Sequence, residues 1–170
     1  MQLSFWKRPG LVIPPKLPSS VTSLYQCFKE CTKLTAVPNL SACTSLTTME
    51  YCFLGCTSLT DVSGLTIPAG VTDMSACFTG CTSLTTAPVI PDSVTDIGWC
   101  FDGCANLSGT IIINAHITSC SYAFRGVDPS KITKIKVPDA STQNTLRNSN
   151  GMPEALKAKI LCPGDAGYDD

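Results

Sequence analysis

Val71-Thr-Asp-Met-Ser-Ala-Cys-Phe-Thr-Gly-Cys-Thr-Ser-Leu84 is one of five copies of a single pattern. With its first residue counted as position 0, that position holds Val21, Leu46, Val71, Val94 and Ile117. Position 3 holds Leu24, Met49, Met74, Ile97 and Cys120. Position 6 holds Cys27, Cys52, Cys77, Cys100 and Ala123, and position 10 holds Cys31, Cys56, Cys81, Cys104 and Val127. Position 7 is Phe every time: Phe28, Phe53, Phe78, Phe101 and Phe124. The copies start 25, 25, 23 and 23 residues apart. A near-constant period of this size marks a solenoid, in which each unit buries its apolar face against the next.

Within one copy, position 2 (Ser23, Thr48, Asp73, Asp96, Ser119) offers a side-chain oxygen suited to a free backbone N–H, as an N-cap does. Apolar positions 3, 6, 7 and 10 follow helical spacing, so the sequence predicts a short helical turn over positions 3 to 8. Gly55, Gly80, Gly103 and Gly126 at position 9 suit a left-handed residue ending that turn. Glu30 breaks the rule, and its turn is expected to end differently. Position 1 is Thr in all five copies, a β-branched residue leading into the cap. A short strand is predicted after position 10, beginning at Leu34, Leu59, Leu84, Leu107 and Ile132, with Val37, Val62, Ala87 and Ile135 inward. Successive strands would lie about 4.8 Å apart in a parallel ladder. The phenylalanines would then stand in one column.

The chain has 170 residues and a net charge of −1, which suits one domain and argues against nucleic acid as a partner. Residues 1–20 carry +3, residues 21–127 carry −4 and residues 128–170 carry 0, so no segment is a polybasic arm. No apolar run reaches the roughly 18 residues of a membrane span, so membrane insertion is not expected. Residues 1–9 do not read as a signal peptide, because no apolar stretch follows Lys7 and Arg8.

Eleven cysteines admit three readings: packing, disulfides and metal binding. The fifth repeat discriminates, because Ala123 and Val127 occupy the cysteine positions in the same register. A site that accepts Ala or Val selects for size and apolarity, and a buried free Cys is a small hydrophobe. Packing is therefore the reading adopted, with no metal and no cofactor. Cys43 and Cys162 lie outside the register and are expected to be accessible.

At the start, Leu11–Ile13 reads as a short strand opening the stack, with Trp6 covering the first layer of core. At the end, Asp128-Pro-Ser-Lys131 lengthens the last repeat. Asp139-Ala-Ser141 supplies caps for a helix through about Arg147, stopped by Asn150-Gly151. Pro153 opens a second short helix carrying Leu156 and Ile160 on one side, ended by Cys162-Pro-Gly164. Residues 167–170 are expected to fray.

Two outward columns are candidates for binding. Position 5 holds Gln26, Tyr51, Ala76, Trp99 and Tyr122; its aromatics serve either as a platform for a ligand or as a lid on the helical-turn side of the core. The strand column (Thr60, Asp61, Thr85 and Thr86 among others) suits polar contacts and equally suits a solvated strand. Catalytic readings fail. His116 is the sole histidine and has no evident Cys or acid partner at a diagnostic spacing, and Asp73 and Asp96 fall on cap positions. Phosphate-binding glycine loops are absent too.

The pattern Cys-Phe-x-Gly-Cys-Thr-Ser-Leu-Thr, followed by Ile-Pro-x-x-Val-Thr-x-Ile, resembles the BspA-like, or Treponema pallidum type, leucine-rich repeats of bacterial surface proteins. The end, Ile132-Thr-Lys-Ile-Lys-Val-Pro-Asp-Ala-Ser141, resembles that family's terminal strand and helix. The resemblance covers about residues 11–163. It implies an α/β fold: a right-handed leucine-rich-repeat solenoid of short parallel strands and short helical turns. The N-terminal strand and cap would span 1–20, the five repeats 21–138 and a C-terminal helical cap 139–170. It also implies a non-catalytic module that binds a protein or glycan, often in adhesion. The implied location is the cell surface or outside the cell, with a virion component or a cytoplasmic protein as alternatives. A structural spacer and a metal or redox thiol protein are the competing functions.

Overall fold

Position 2 of each repeat pairs in parallel with position 2 of the next, through Ser23, Thr48, Asp73, Asp96 and Ser119. The computed structural model, which describes residues 1–170, is a solenoid built on that spine. Position 1 supplies its second bond. The N–H groups of Thr47, Thr72, Thr95 and Thr118 each donate to the preceding position-1 carbonyl at 2.9–3.0 Å. The hydroxyls of Thr47, Thr95 and Thr118 donate to the same carbonyls. The recurrent threonine is thus accounted for at Thr47, Thr95 and Thr118, which tie layers together twice, while Thr72 does so through its N–H alone.

Positions 3 to 10 are not a helical turn. They are a string of successive turns, and their backbone N–H groups go alternately outward and inward. Those at positions 3, 5, 7 and 9 donate to the carbonyls at positions 2, 4, 6 and 8 of the next repeat; Met49, Tyr51, Phe53 and Gly55 reach Asp73, Ser75, Cys77 and Thr79. Those at 6, 8 and 10 donate three residues back within the repeat. A helix would spend every N–H internally and leave the layers unlinked. The position-2 side chain caps the N–H two residues on, as Asp73 does for Ser75 at 2.8 Å.

This path needs left-handed backbone at positions 5 and 9. Gly80 has φ 69° and Gly103 φ 74°. Glu30, expected to differ, adopts the same conformation with φ 59°. The interlayer bond from its N–H to the Leu54 carbonyl, 2.7 Å, imposes the shape regardless of residue type.

Forty-seven buried residues form one continuous core, so no repeat stands alone. Phe28, Phe53, Phe78, Phe101 and Phe124 are fully buried and stack with centroids 5.4–5.7 Å apart. A sixth ring joins them. Phe5 stacks on Phe28 at 5.4 Å, its N–H donates to the Cys27 carbonyl, and Gln2 bridges to Ser23. Residues 1–7 are therefore a truncated repeat. Phe5, not Trp6, covers the first layer; Trp6 is 47% exposed. Leu11–Ile13 forms no strand, although the Val12 carbonyl accepts from the N–H of Thr35.

Extended strands appear only late in the chain: β1 (Gly109–Ile112), β2 (Ile132–Lys136) and β3 (Ile160–Leu161), parallel in that order. In the earlier repeats the stretch after position 10 is linked by single bonds, such as the N–H of Thr85 to the Thr60 carbonyl. Helix α1 (Ala140–Arg147) is capped by Asp139, whose carboxylate accepts from the Thr142 N–H at 2.7 Å. Helix α2 (Glu154–Lys157) is a single turn, so Ile160 lies in β3 and not on a helix face. The chain end does not fray away: Lys134 donates to the carbonyls of Gly167 and Asp170, and Lys136 lies 4.8 Å from the Tyr168 ring centroid.

Candidate functional site

The position-5 residues share one backbone device. Gln26, Tyr51, Ala76, Trp99 and Tyr122 have φ between 51° and 59°, each at a cost on the order of 1 kcal/mol for a residue with a Cβ. The turn string demands it, because the position-5 N–H must reach the next layer while its carbonyl receives the N–H three residues on. The column is only partly a lid: Trp99 is 43% exposed, Tyr51 and Tyr122 are half-buried and Ala76 is buried.

Trp99 and Tyr122 stack at 5.5 Å with 25° between planes. Tyr122 is walled off from the C-terminal side. Its N–H donates to the Asn150 carbonyl, and a Cβ on Gly151 (φ 73°) would lie 2.3 Å from its ring. Arg125 stands 5.0 Å from the Tyr122 centroid, anchored by two bonds of 2.6 and 2.8 Å to Asp102. Tyr51 belongs to a separate group: Tyr25 meets it edge-on at 5.9 Å and Lys29 sits 6.0 Å from its centroid.

Between the two groups the small side chain of Ala76 interrupts the column. The gap is an open notch of ≈ 250 Å³ lined by Tyr51, Leu54, Ala76, Thr79 and Trp99. None of these is charged. Thr79 spends its hydroxyl on the Trp99 carbonyl at 2.6 Å, which fixes the Trp99 backbone at the rim. The notch can accept a flat or branched apolar group between two aromatic walls.

The strand column is arranged differently. Thr85 donates its hydroxyl to the Thr60 carbonyl at 2.8 Å, Thr86 donates to the Asp61 carboxylate at 2.5 Å, and the Val62 N–H donates to Thr86. The Thr86 hydroxyl, with Ser63, holds the Asp61 carboxyl below its ordinary pKa. These polar groups are committed to one another across layers.

The thiols are withdrawn from solvent in the folded protein. All eleven are free and buried, including Cys43 and Cys162, which were expected to be accessible. Cys43 belongs to the long first linker and turns inward, its thiol directed at the Pro18 carbonyl at 3.8 Å, and Cys162 is held beside Asp165, which accepts its N–H at 2.9 Å. Burial pushes Cys27, Cys56 and Cys104 up to about 12, and holds Cys52, Cys77 and Cys100 well above the ordinary thiol value. A nucleophile or metal ligand must be thiolate, and burial disfavours that form at these six. No three His, Cys, Asp or Glu side chains converge on a common point. His116, contrary to expectation, does have an acid partner: Nδ1 lies 2.8 Å from Asp139, one period further on. The pair is exposed and ties the start of α1 to the preceding linker.

A family model described as BspA type leucine rich repeat region matches residues 22–149 in six copies. The crystal structure of a T. pallidum leucine-rich repeat protein is similar, with 23% identity and a TM-score of 0.55 over 74% of this chain. At that identity the likeness shows the fold alone. The match takes in 57% of the other chain, so this chain spans a little over half of that protein's length. No curated protein matches significantly.

Proposed function

The chain belongs to the BspA type leucine-rich repeat family, and from that premise we propose that it is a non-catalytic binding module. It engages a partner protein through the aromatic position-5 face. Repeats of this family generally mediate protein binding. The observation that carries the reading is the notch between Tyr51 and Trp99 over Ala76. Partly exposed aromatics flanking a small apolar recess are the composition of interface hot spots. An adhesive role at a cell surface is the setting that fits, since proteins of this family are often surface-associated. The right-handed winding and the division into 1–20, 21–138 and 139–170 belong to the same proposal, with the last segment closing the stack. A glycan ligand is the finer alternative, because sugar rings also stack on Trp and Tyr.

An array of host-surface proteins and glycans probed with wild-type, Trp99→Ala and Tyr51→Ala protein tests this. The expected result is a protein ligand whose binding falls at least about tenfold in Trp99→Ala, the loss of one hot-spot anchor. Equal binding by all three rejects the aromatic face.

A further inference from the structure

We propose that a groove across the two long linkers takes an extended, uncharged stretch of a partner polypeptide, with an acidic side chain or chain end beside Lys16. The first two repeats are two residues longer than the next two, and the extra length falls in the linkers 37–45 and 62–70. Three recesses of ≈ 480, 330 and 350 Å³ follow one another there. Ser41 lines all three; Pro14, Pro38 and Pro68 line them in turn; Lys16 is their one charged residue.

The short linkers show what the long ones lack. In the short ones the N–H of Ile90 reaches the Ile112 carbonyl, that of Asn114 reaches Ile90, and that of Ile113 reaches Lys136. In the long ones the N–H groups of Val37, Asn39, Leu40, Gly64, Thr66 and Ile67 have no partner within the chain. The carbonyls of Val37, Asn39, Gly64 and Thr66 are likewise unpaired. Leu40 is 1% exposed, and a buried main-chain donor left unpaired is rare in folded proteins. Proline removes donors from the linkers, so they cannot zip to one another. An extended chain offers the alternating donors and acceptors that such a surface lacks, as in strand addition to an open edge. Lys16 makes no salt bridge and sets the preferred charge at its mouth. The groove shares no residue with the aromatic notch, so it stands or falls separately.

The test is an amide NMR titration of the whole chain. The probes are a synthetic decapeptide of Ser, Thr and Val ending in Asp, the same peptide ending in Lys, both amidated at the C-terminus so that only the last side chain differs in charge, and a neutral oligosaccharide. The expected result is shifts confined to amides 37–44 and 64–70 with the Asp peptide, and binding roughly threefold or more weaker with the Lys peptide. Ser41→Trp, at an exposed position, abolishes them while the rest of the spectrum stays folded; Ser45→Trp, outside the recesses, leaves them. No shift at about 1 mM of either peptide overturns the proposal, as does indifference to Ser41→Trp. So do shifts at these amides from the oligosaccharide alone or from raising the protein concentration without peptide. These last two outcomes assign the groove to a saccharide or to a second copy.

Discussion

The thiol of Cys81 donates to the main-chain carbonyl of Phe53, one repeat earlier, at 3.1 Å. Cys56 and Cys104 reach Phe28 and Phe78 in the same way, and Cys31 reaches Phe5 at 3.2 Å. The position-10 cysteine is thus a donor between layers as well as filler. Where Val127 replaces it, the Phe101 carbonyl keeps only the N–H of Cys104. Cys81→Ala loses both the bond and the packed sulfur, and is expected to cost about 1–2 kcal/mol in urea unfolding. An unchanged midpoint contradicts the role.

The ring column predicts a gradient along the stack. Phe78 has rings at 5.4 and 5.7 Å on its two sides, so Phe78→Ala is expected to cost about 3–5 kcal/mol. Phe5 has one neighbour and is only partly buried, so Phe5→Ala is expected to cost less than half as much. Equal losses in denaturant melts contradict a shared column.

Alkali is expected to unfold the chain. Below the ordinary thiol pKa of 9.0 the folded and unfolded chains both hold the proton, and stability is fully present. Above it the unfolded chain releases protons that Cys27, Cys56 and Cys104 retain to about 12. Stability therefore falls as pH rises from 9 toward 12, by about 1.4 kcal/mol per pH unit for each such thiol. Urea midpoints at pH 8 and pH 10 check this, and equal values contradict the burial of the thiols.

Backbone conformation separates two glycines. Gly80 has φ 69° and room for a Cβ, with its nearest neighbour at 3.9 Å, so Gly80→Ala carries only the left-handed penalty of about 1 kcal/mol. Gly151→Ala meets the Tyr122 ring as well. It is expected to cost more and to perturb Trp99 fluorescence through the stacked pair, in a Trp6→Phe background that leaves Trp99 as the sole reporter. The reverse order contradicts the wall described for Tyr122.

The repeat register was legible because Phe, Cys and Gly recur with their spacing intact, and register determines which side chains share a core. The path of the backbone was not. Apolar residues at positions 3, 6, 7 and 10 satisfy helical spacing, yet the N–H groups between them bond to another layer, which side-chain periodicity does not report. The truncated first repeat left a signal that was readable: Phe5 precedes Phe28 by 23 residues, one of the periods seen later. Its shortened spacing from Gln2 hid the rest. At the aromatic column the sequence showed which residues align, whereas the notch depends on Ala76 lying between two separate aromatic groups. The acid partner of His116 was missed because it lies a full period away.

The alternating N–H pattern gives each layer two unlike edges. Toward the next repeat, positions 3, 5, 7 and 9 present donors; toward the previous one, positions 2, 4, 6 and 8 present acceptors. Along positions 2 to 9 such a stack has a direction, as a magnet has poles, while the position-1 threonines donate the other way. A polypeptide that extends the stack end to end matches positions 2 to 9 only when it arrives tail to head, since the reverse approach would set donor against donor there.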